Sequence, residues 1–386
     1  MRARRGGAGP VTRLMGMAAQ ASIVSLLVGS VCGELEGQVT WEDLVLTWGV
    51  SGEGYRGNLA AVTAPAVDSS NRVSAAVGEL GIRGGLLFAN NQRRTVGLRW
   101  DAGLRQFVTG GFREWDYAPR EWVGRADFSF RQAIGSASDL RIQLGATGRQ
   151  VDDRPPMPLF IQPGYGSLDG ALGLQFRPVF GVRTDARILG EFSRYQTGQL
   201  TPQLGLLDRD VLGAEVGAAL ARWLAIRFHA GFRIIDYPNQ GTFDPGDPVR
   251  RDRMLSFGAT WALQYPLVAQ VGVEGIRNRS NSRRPEYNAV RLRSVVSAPL
   301  PLDLSMNLFA VLTTKSYLEE LEVARLVPGE EADNASVVYL ELARPVQVNL
   351  DGAIRFGWTR AESDFGDDYF ERLGVTVLFH YRPWER

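Results

Sequence analysis

The side chains able to do chemistry in this chain are arginines, carboxylates and two histidines, and they recur at every second position. Arg227, His229, Gly231 and Arg233 alternate with Ile226, Phe228, Ala230, Phe232 and Ile234. In the same way Gln347, Asn349, Asp351, Ala353, Arg355, Gly357 and Thr359 alternate with Val346, Val348, Leu350, Gly352, Ile354, Phe356 and Trp358. A period of two describes a strand with one apolar and one polar face. Carried along the chain, this phase puts Arg83, Arg99, Arg105, Arg125, Arg131, Arg141, Arg149 and Arg183 on polar faces. Arg187, Arg227, Arg233, Arg291, Arg293, Arg355 and Arg372 join them. The acids sharing those faces are Glu53, Glu79, Asp101, Asp127, Asp185, Glu191, Glu215, Glu274, Asp303, Glu341 and Asp351. Two chemistries suit such a set. Basic positions around an aqueous path select anions, and Arg–carboxylate pairs between neighbouring strands brace a sheet. Bracing is the expected role of any one arginine, and the sum leaves a slight preference for anions.

The histidines argue against catalysis. His229 falls in mid-strand on a polar face, and His380 falls near the end of the last strand, also on a polar face. A nucleophile–histidine pair cleaving lipid would need its histidine on an apolar wall or at the lip of the long connections. A proteolytic site at that lip would also need a histidine there, and the long connections contain none. The chain is therefore expected not to be an enzyme. Asp244, Asp247, Glu330, Glu331, Asp333, Asp364, Asp367 and Asp368 make the connections acidic. Solvated charge explains them better than a divalent-cation site, so no metal and no cofactor are expected. With 43 basic and 42 acidic residues, the balance gives no electrostatic footprint for nucleic acid. Cys32, the one cysteine, leaves the rest of the chain without disulfides or cysteine metal sites.

The elements that must position these residues are strands. Arg2, Arg4, Arg5 and Arg13 precede an apolar, small-residue stretch from Met15 to Val31, the plan of a secretory signal peptide. We place its end at Gly37, so residues 1–37 are the expected signal and 38–386 the exported domain. No later stretch is an unbroken apolar run of the roughly 20 residues that a membrane helix needs. Strand-like alternation instead begins near residues 44, 72, 94, 120, 139, 167, 181, 208, 224, 253, 268, 286, 302, 335, 346 and 370. Between these sixteen segments, short turns alternate with longer polar connections rich in Pro, Gly and Asp. The short turns are read at Asn90-Asn91, Gly135–Ser138, Val179–Gly181, Arg222-Trp223, Pro266, Ala298–Pro301 and Pro345. A soluble sheet has no reason to sort its connections by parity, whereas a membrane-spanning barrel does. The expected fold is all-β: a closed antiparallel transmembrane β-barrel of about sixteen strands, with both termini on the short-turn, periplasmic side. Aromatic girdles are expected at both ends, from Trp223, Tyr265, Tyr381 and Trp384 at one. Trp115, Tyr117, Tyr195, Tyr237, Tyr287, Tyr317, Trp358 and Tyr369 would supply the other.

The last alternating stretch, Phe370 to Tyr381, has Arg372, then Gly374, then Val377 and Phe379. This resembles the C-terminal insertion signal of outer-membrane β-barrel proteins. The resemblance implies the outer membrane of a Gram-negative bacterium, with outer-membrane lipid, lipopolysaccharide and the barrel-assembly machinery as partners. A shorter passage, Arg277-Asn278-Arg279-Ser280-Asn281-Ser282 with Tyr287 and Val290–Val296, is similar to one in the C-terminal barrels of two families. These are exopolysaccharide-export porins and surface-lipoprotein assembly modifiers. Both carry helical repeats before the barrel, and this chain has no such repeats. Three roles fit: a porin-like channel for small hydrophilic, preferentially anionic solutes; an export conduit for polysaccharide or lipoprotein; or a structural barrel plugged by its own loops. The lining expected to matter is Arg99, Arg125, Arg141, Arg183, Arg187, Arg227, Arg233, Arg291, Arg293 and Arg355. The solute and the oligomeric state are not legible in the residues.

Overall fold

The computed structural model describes residues 40–57, 72–91, 93–110, 120–152, 164–179, 182–195, 208–220, 225–242, 246, 249–264, 267–282, 286–317, 336–362 and 369–383. Its regular elements are sixteen strands. The first six are β1 (Thr40–Gly57), β2 (Arg72–Asn90), β3 (Arg94–Gly110), β4 (Arg120–Ile134), β5 (Ser138–Asp152) and β6 (Tyr165–Val179). Next come β7 (Val182–Tyr195), β8 (Arg209–Leu220), β9 (Ile226–Gly241), β10 (Val249–Leu263) and β11 (Val268–Ser280). The last five are β12 (Tyr287–Leu300), β13 (Leu304–Tyr317), β14 (Ser336–Gln347), β15 (Leu350–Glu362) and β16 (Tyr369–Tyr381). Each strand pairs antiparallel with its sequence neighbours, and β1 pairs with β16, so the sheet closes on itself. The signal segment lies outside the described residues.

Even the 12-residue strands β8 and β14 are long enough to cross a bilayer. At about 3.3 Å per residue and a tilt near 45° they span roughly 28 Å along the barrel axis. Counted from the strand bounds, the connections after even-numbered strands have two to five residues and those after odd-numbered strands six to eighteen. The alternation read from the sequence is therefore kept at every step.

One face of the sheet is apolar and open. Val50, Leu80, Leu212, Phe257 and Leu255 on it are between 56% and 66% exposed, too much for residues of a soluble core. The other face is polar and crowded. Its side chains meet across an intervening strand, as Arg105 on β3 meets Glu53 on β1 and Arg227 on β9 meets Asp185 on β7. Side chains converge in this way only on the concave side of a closed sheet, so the polar face is the inside. Water is absent from hydrocarbon, and a closed sheet leaves no strand edge unpaired in it.

The seam between β1 and β16 runs over twelve residue pairs, from Leu46↔Tyr381 to Gly57↔Phe370. Trp48 stacks on Phe379 outside, with ring centroids 5.9 Å apart. Inside, Leu378 is fully buried and clusters with Ala343 and Ala353. It is the apolar residue that breaks the polar face of β16, and it does so because Gly49 opposite leaves it room. A Cβ on Gly49 would strike Leu378 and the Val377 carbonyl.

Several boundaries differ from the sequence reading. The β14–β15 turn is Val348-Asn349, not Pro345; Pro345 lies within β14 opposite Asp351, and Val348 is 90% exposed in the turn rather than on an apolar face. The β12–β13 turn is at 301–303, not Ala298–Pro301, and Pro299 pairs with Ser305. Leu302 and Asp303 both take positive φ there, so Asp303 is a turn residue and not part of the inner face. Periodicity blurs at such places because a two- or three-residue turn interrupts it so briefly.

The girdle also needs correction. Tyr195, Tyr237 and Tyr287 pair with Tyr165, Arg250 and Asn278, which puts them on the inner face at the long-connection end. Trp41, Trp261 and Tyr381 near the short-turn end, and Trp122 and Trp358 near the other, do lie on the outside. Trp115, Tyr117, Trp223, Tyr265 and Trp384 lie outside the described residues.

Phe257 faces outward near the middle of β10, so Phe257→Arg should cost about 2–4 kcal/mol of unfolding free energy in bilayers. Phe257→Leu costs little, and denaturant titration of the vesicle-refolded barrel compares the two.

Candidate functional site

Antiparallel pairing places directly opposed residues on one face, so the fifteen polar-face arginines read from the sequence can be followed around the barrel. All fall on the inner face, each opposite an inner-face residue of the next strand. They divide into three groups by what they touch.

The first group is largely buried and held in networks of several partners. Arg105 reaches Glu53, and lies 3.1 Å from Glu79 and 3.5 Å from Glu121. Glu121 also takes a 2.8 Å contact from Arg149, and Glu53 accepts from Tyr55. Phe107, under the Arg105 guanidinium at 5.0 Å, joins Tyr55, Ala75 and Val77 in a small apolar cluster that walls this network off. A second network, which the sequence reading missed, closes β9–β11. Arg250 lies over the Tyr237 ring, pairs with Asp252 at 2.7 Å and donates to Gln240 at 2.9 Å. Asn278 adds a 3.2 Å hydrogen bond to Asp252. Arg250 shows no distinguishing signal in sequence, because three arginines in a row, Arg250, Arg251 and Arg253 about Asp252, obscure the period.

The second group is paired but accessible. Arg187 meets Glu215 at 2.6 Å, Arg355 meets Glu341 at 2.6 Å, and Arg131 meets Asp139 at 3.0 Å. Arg125 pairs with Asp127 two residues along its own strand at 2.7 Å. Arg227 crosses above β8 to reach Asp185 at 2.6 Å. That crossing passes over Gly217, where a Cβ would lie 2.8 Å from Asp185 and 2.9 Å from Arg227, so the glycine makes the bridge possible. Arg291 and Arg293 approach one carboxylate, Glu274, at 3.7 and 3.5 Å, too far for hydrogen bonds.

The third group has no carboxylate. Arg141 donates to Gln175 and Arg372 to the Tyr339 hydroxyl. Arg83, Arg99, Arg183 and Arg233 engage in no ion pair or hydrogen bond among the described residues, and the first three are exposed. Their acidic counterparts on the inner face, exposed and likewise unengaged, are Asp101 and Asp169.

Both histidines are also on the inner face. His229 Nε2 is 3.8 Å from Glu274, and His380 Nδ1 is 3.0 Å from the Thr47 hydroxyl across the seam. His380 Nε2 lies 3.9 Å from Glu341, beyond hydrogen-bond length, and the ring is buried. The Thr47–His380 contact ties β1 to β16. In the insertion-signal stretch, Arg372 and Gly374 face inward, while Val377 and Phe379 face outward. A patch that alternation alone did not reveal interrupts the inner face: Val295 and Phe309 are opposed there, 42% and 43% exposed, with Tyr339 opposite Phe309.

A closed antiparallel wall with its apolar side outermost decides the class. The fold is a membrane-spanning β-barrel of the outer-membrane type. No family model and no characterised protein sequence matches it. Among solved structures, this barrel is similar to the toluene transporter TodX of Pseudomonas putida at 9% identity. That match covers 91% of each chain, with a TM-score of 0.39. An anion-selective porin from Comamonas acidovorans shares 9% identity over 89% of this chain and 99% of its own, with a TM-score of 0.41. A bacterial polysaccharide outer membrane secretin shares 10% identity over 88% and 98%, with a TM-score of 0.38.

Within the barrel wall, depth of engagement sets the cost of losing a charge. Arg105→Met leaves Glu53 and Glu79 without a cation beside an apolar cluster, while Glu121 keeps Arg149, and should destabilise by roughly 3–5 kcal/mol. Arg125→Met breaks an exposed pair worth about 1 kcal/mol or less. Denaturant midpoints of the two variants in vesicles make the comparison.

Proposed function

We propose that this barrel is a passive channel for small hydrophilic solutes with a slight preference for anions. The observation that carries the reading is the group of inner-face arginines that hold no ion pair or hydrogen bond among the described residues: Arg83, Arg99, Arg183 and Arg233. A guanidinium not in contact with a carboxylate keeps more of its field in the surrounding water. Several of them around a polar interior raise the local concentration of anions. Arg141 and Arg372, held by neutral partners, add to the same sign. Against them on the inner face stand Asp101 and Asp169, the exposed acids there that hold no ion pair or hydrogen bond among the described residues.

Sixteen strands support a conducting interior, since barrels of 16–18 strands are wide enough to keep an aqueous path. The lining we assign to this path is Arg99, Arg125, Arg141, Arg183, Arg187, Arg227, Arg233, Arg291, Arg293 and Arg355. The paired members hold the wall in shape, and the unpaired members carry the selectivity. Nothing in this arrangement asks for a cofactor or a chemical step.

Planar-bilayer recording tests the proposal. Discrete conductance steps are expected, and a salt gradient should give a reversal potential of anion-selective sign. Arg99→Gln, Arg183→Gln and Arg233→Gln together should move that potential towards zero while the steps persist. A cation-selective wild-type barrel would contradict the anion preference, and the absence of steps would favour a plugged barrel or an export conduit.

A further inference from the structure

The outside of the barrel carries a charged feature for which solute passage has no use. On the outer face of β10, Arg251 and Arg253 precede Leu255, Phe257, Ala259 and Trp261. On that of β11, Ala269, Val271, Val273 and Gly275 lead up to Arg277 and Arg279. Both strands thus change from apolar to arginine at the same height, towards the long connections.

The pairing makes this crowding costly. Arg253 is directly opposite Arg279, and Arg277 is directly opposite Leu255, one step along the same face. Directly opposed residues have Cβ atoms about 4.5–5.5 Å apart, and like charges so placed repel. The apolar surface immediately beside them weakens the screening that water would provide. Two of the four charges are answered: Arg251 by Asp236 at 2.6 Å and Arg279 by Glu286 at 2.8 Å. Arg253 and Arg277 are exposed and hold no ion pair or hydrogen bond among the described residues. Elsewhere on the outer face at this end, arginines have partners: Arg56 meets Glu371, Arg194 meets Asp210, and Arg120 donates to Gln106.

The backbone beneath the cluster is also held. Asn281 accepts from the Arg251 N–H at 2.7 Å and donates to the Val249 carbonyl at 3.0 Å, stapling the ends of β10 and β11 together. The guanidinium groups therefore project from a fixed platform, which reduces what a ligand must order on binding.

We infer that Arg253 and Arg277 bind the phosphate group of an anionic lipid whose acyl chains lie against Leu255 and Phe257. A phosphate offers several acceptor oxygens to two forked donors, relieves the Arg253–Arg279 repulsion, and sits where a headgroup meets hydrocarbon. A free anion would satisfy the charges but would make no use of Leu255, 56% exposed, and Phe257, 64% exposed, directly below them.

The test uses the folded barrel in detergent, with bis-phosphorylated lipid A as the probe and native mass spectrometry plus titration as readouts. Lipid A should bind, and Arg253→Gln with Arg277→Gln should weaken it by about tenfold or more, as expected for losing two charge-assisted contacts. Lipid A stripped of its phosphates should bind the wild type as weakly. Arg194→Gln, which breaks a satisfied pair, should leave affinity within about twofold of wild type. Heat-modifiable migration confirms that each variant is folded. Equal affinity of the double variant, or equal binding of the dephosphorylated lipid, would overturn the inference. So would displacement of lipid A by millimolar inorganic phosphate, because the ligand would then be a free anion. None of these results depends on whether the barrel conducts.

Discussion

The constraint on which the rest of this structure depends is that a strand edge cannot be left unpaired in hydrocarbon. Fifteen consecutive hairpin pairings do not satisfy it alone, because β1 and β16 would each keep a free edge. The seam between them is accordingly the most specified part of the wall. Trp48 and Phe379 stack on its outside, Thr47 and His380 meet on its inside, and Leu378 occupies the space that Gly49 leaves. The seam fixes register as well as closure. A one-residue slip would send Leu378 and Thr376 to lipid and Phe379 to the interior.

Closure then decides where charge can go. With the outer face apolar, arginines and carboxylates in the middle of the strands point inward, where they converge and pair with the next strand or across one intervening strand. The result is a graded interior. Around Arg105 and Arg250 the charges are buried, matched and rigid, and resemble the brace of a wall. Around Arg99, Arg183 and Arg233 they are unmatched and turned to the interior space. One residue type thus serves both as scaffold and as selector, and the difference lies in its neighbours rather than in its own chemistry.

Much of this was legible in the residues because the period of two is a direct consequence of strand geometry. The strand number, the parity of the connections and the inward facing of all fifteen polar-face arginines follow from it. What was not legible depends on distances between strands, which periodicity does not contain. Nothing local distinguishes Arg105, in contact with three acids, from Arg99, in contact with none although Asp127 stands opposite. The girdle failed for a related reason: Tyr195, Tyr237 and Tyr287 stand at strand ends, but their parity sends them inward to meet Tyr165, Arg250 and Lys315. The turns at 301–303 and Val348-Asn349 were misplaced by a few residues because tight hairpins barely interrupt the alternation. The Phe309–Tyr339 patch was hidden because an apolar residue on a polar face reads as noise when taken singly.

The most direct measurement of the central claim is the environment of successive side chains on one strand. Cys32 is the only native cysteine, so single cysteines can be placed from Arg253 to Trp261 in a variant lacking it and labelled with a nitroxide. In reconstituted vesicles, labels at 255, 257, 259 and 261 should collide with oxygen dissolved in the lipid. Labels at 254, 256, 258 and 260 should instead favour a water-soluble paramagnetic nickel complex or be immobilised. Alternation with a period of two along the whole stretch is the predicted result. Uniform accessibility, or labels at 255 and 257 shielded from lipid, would contradict the barrel described here.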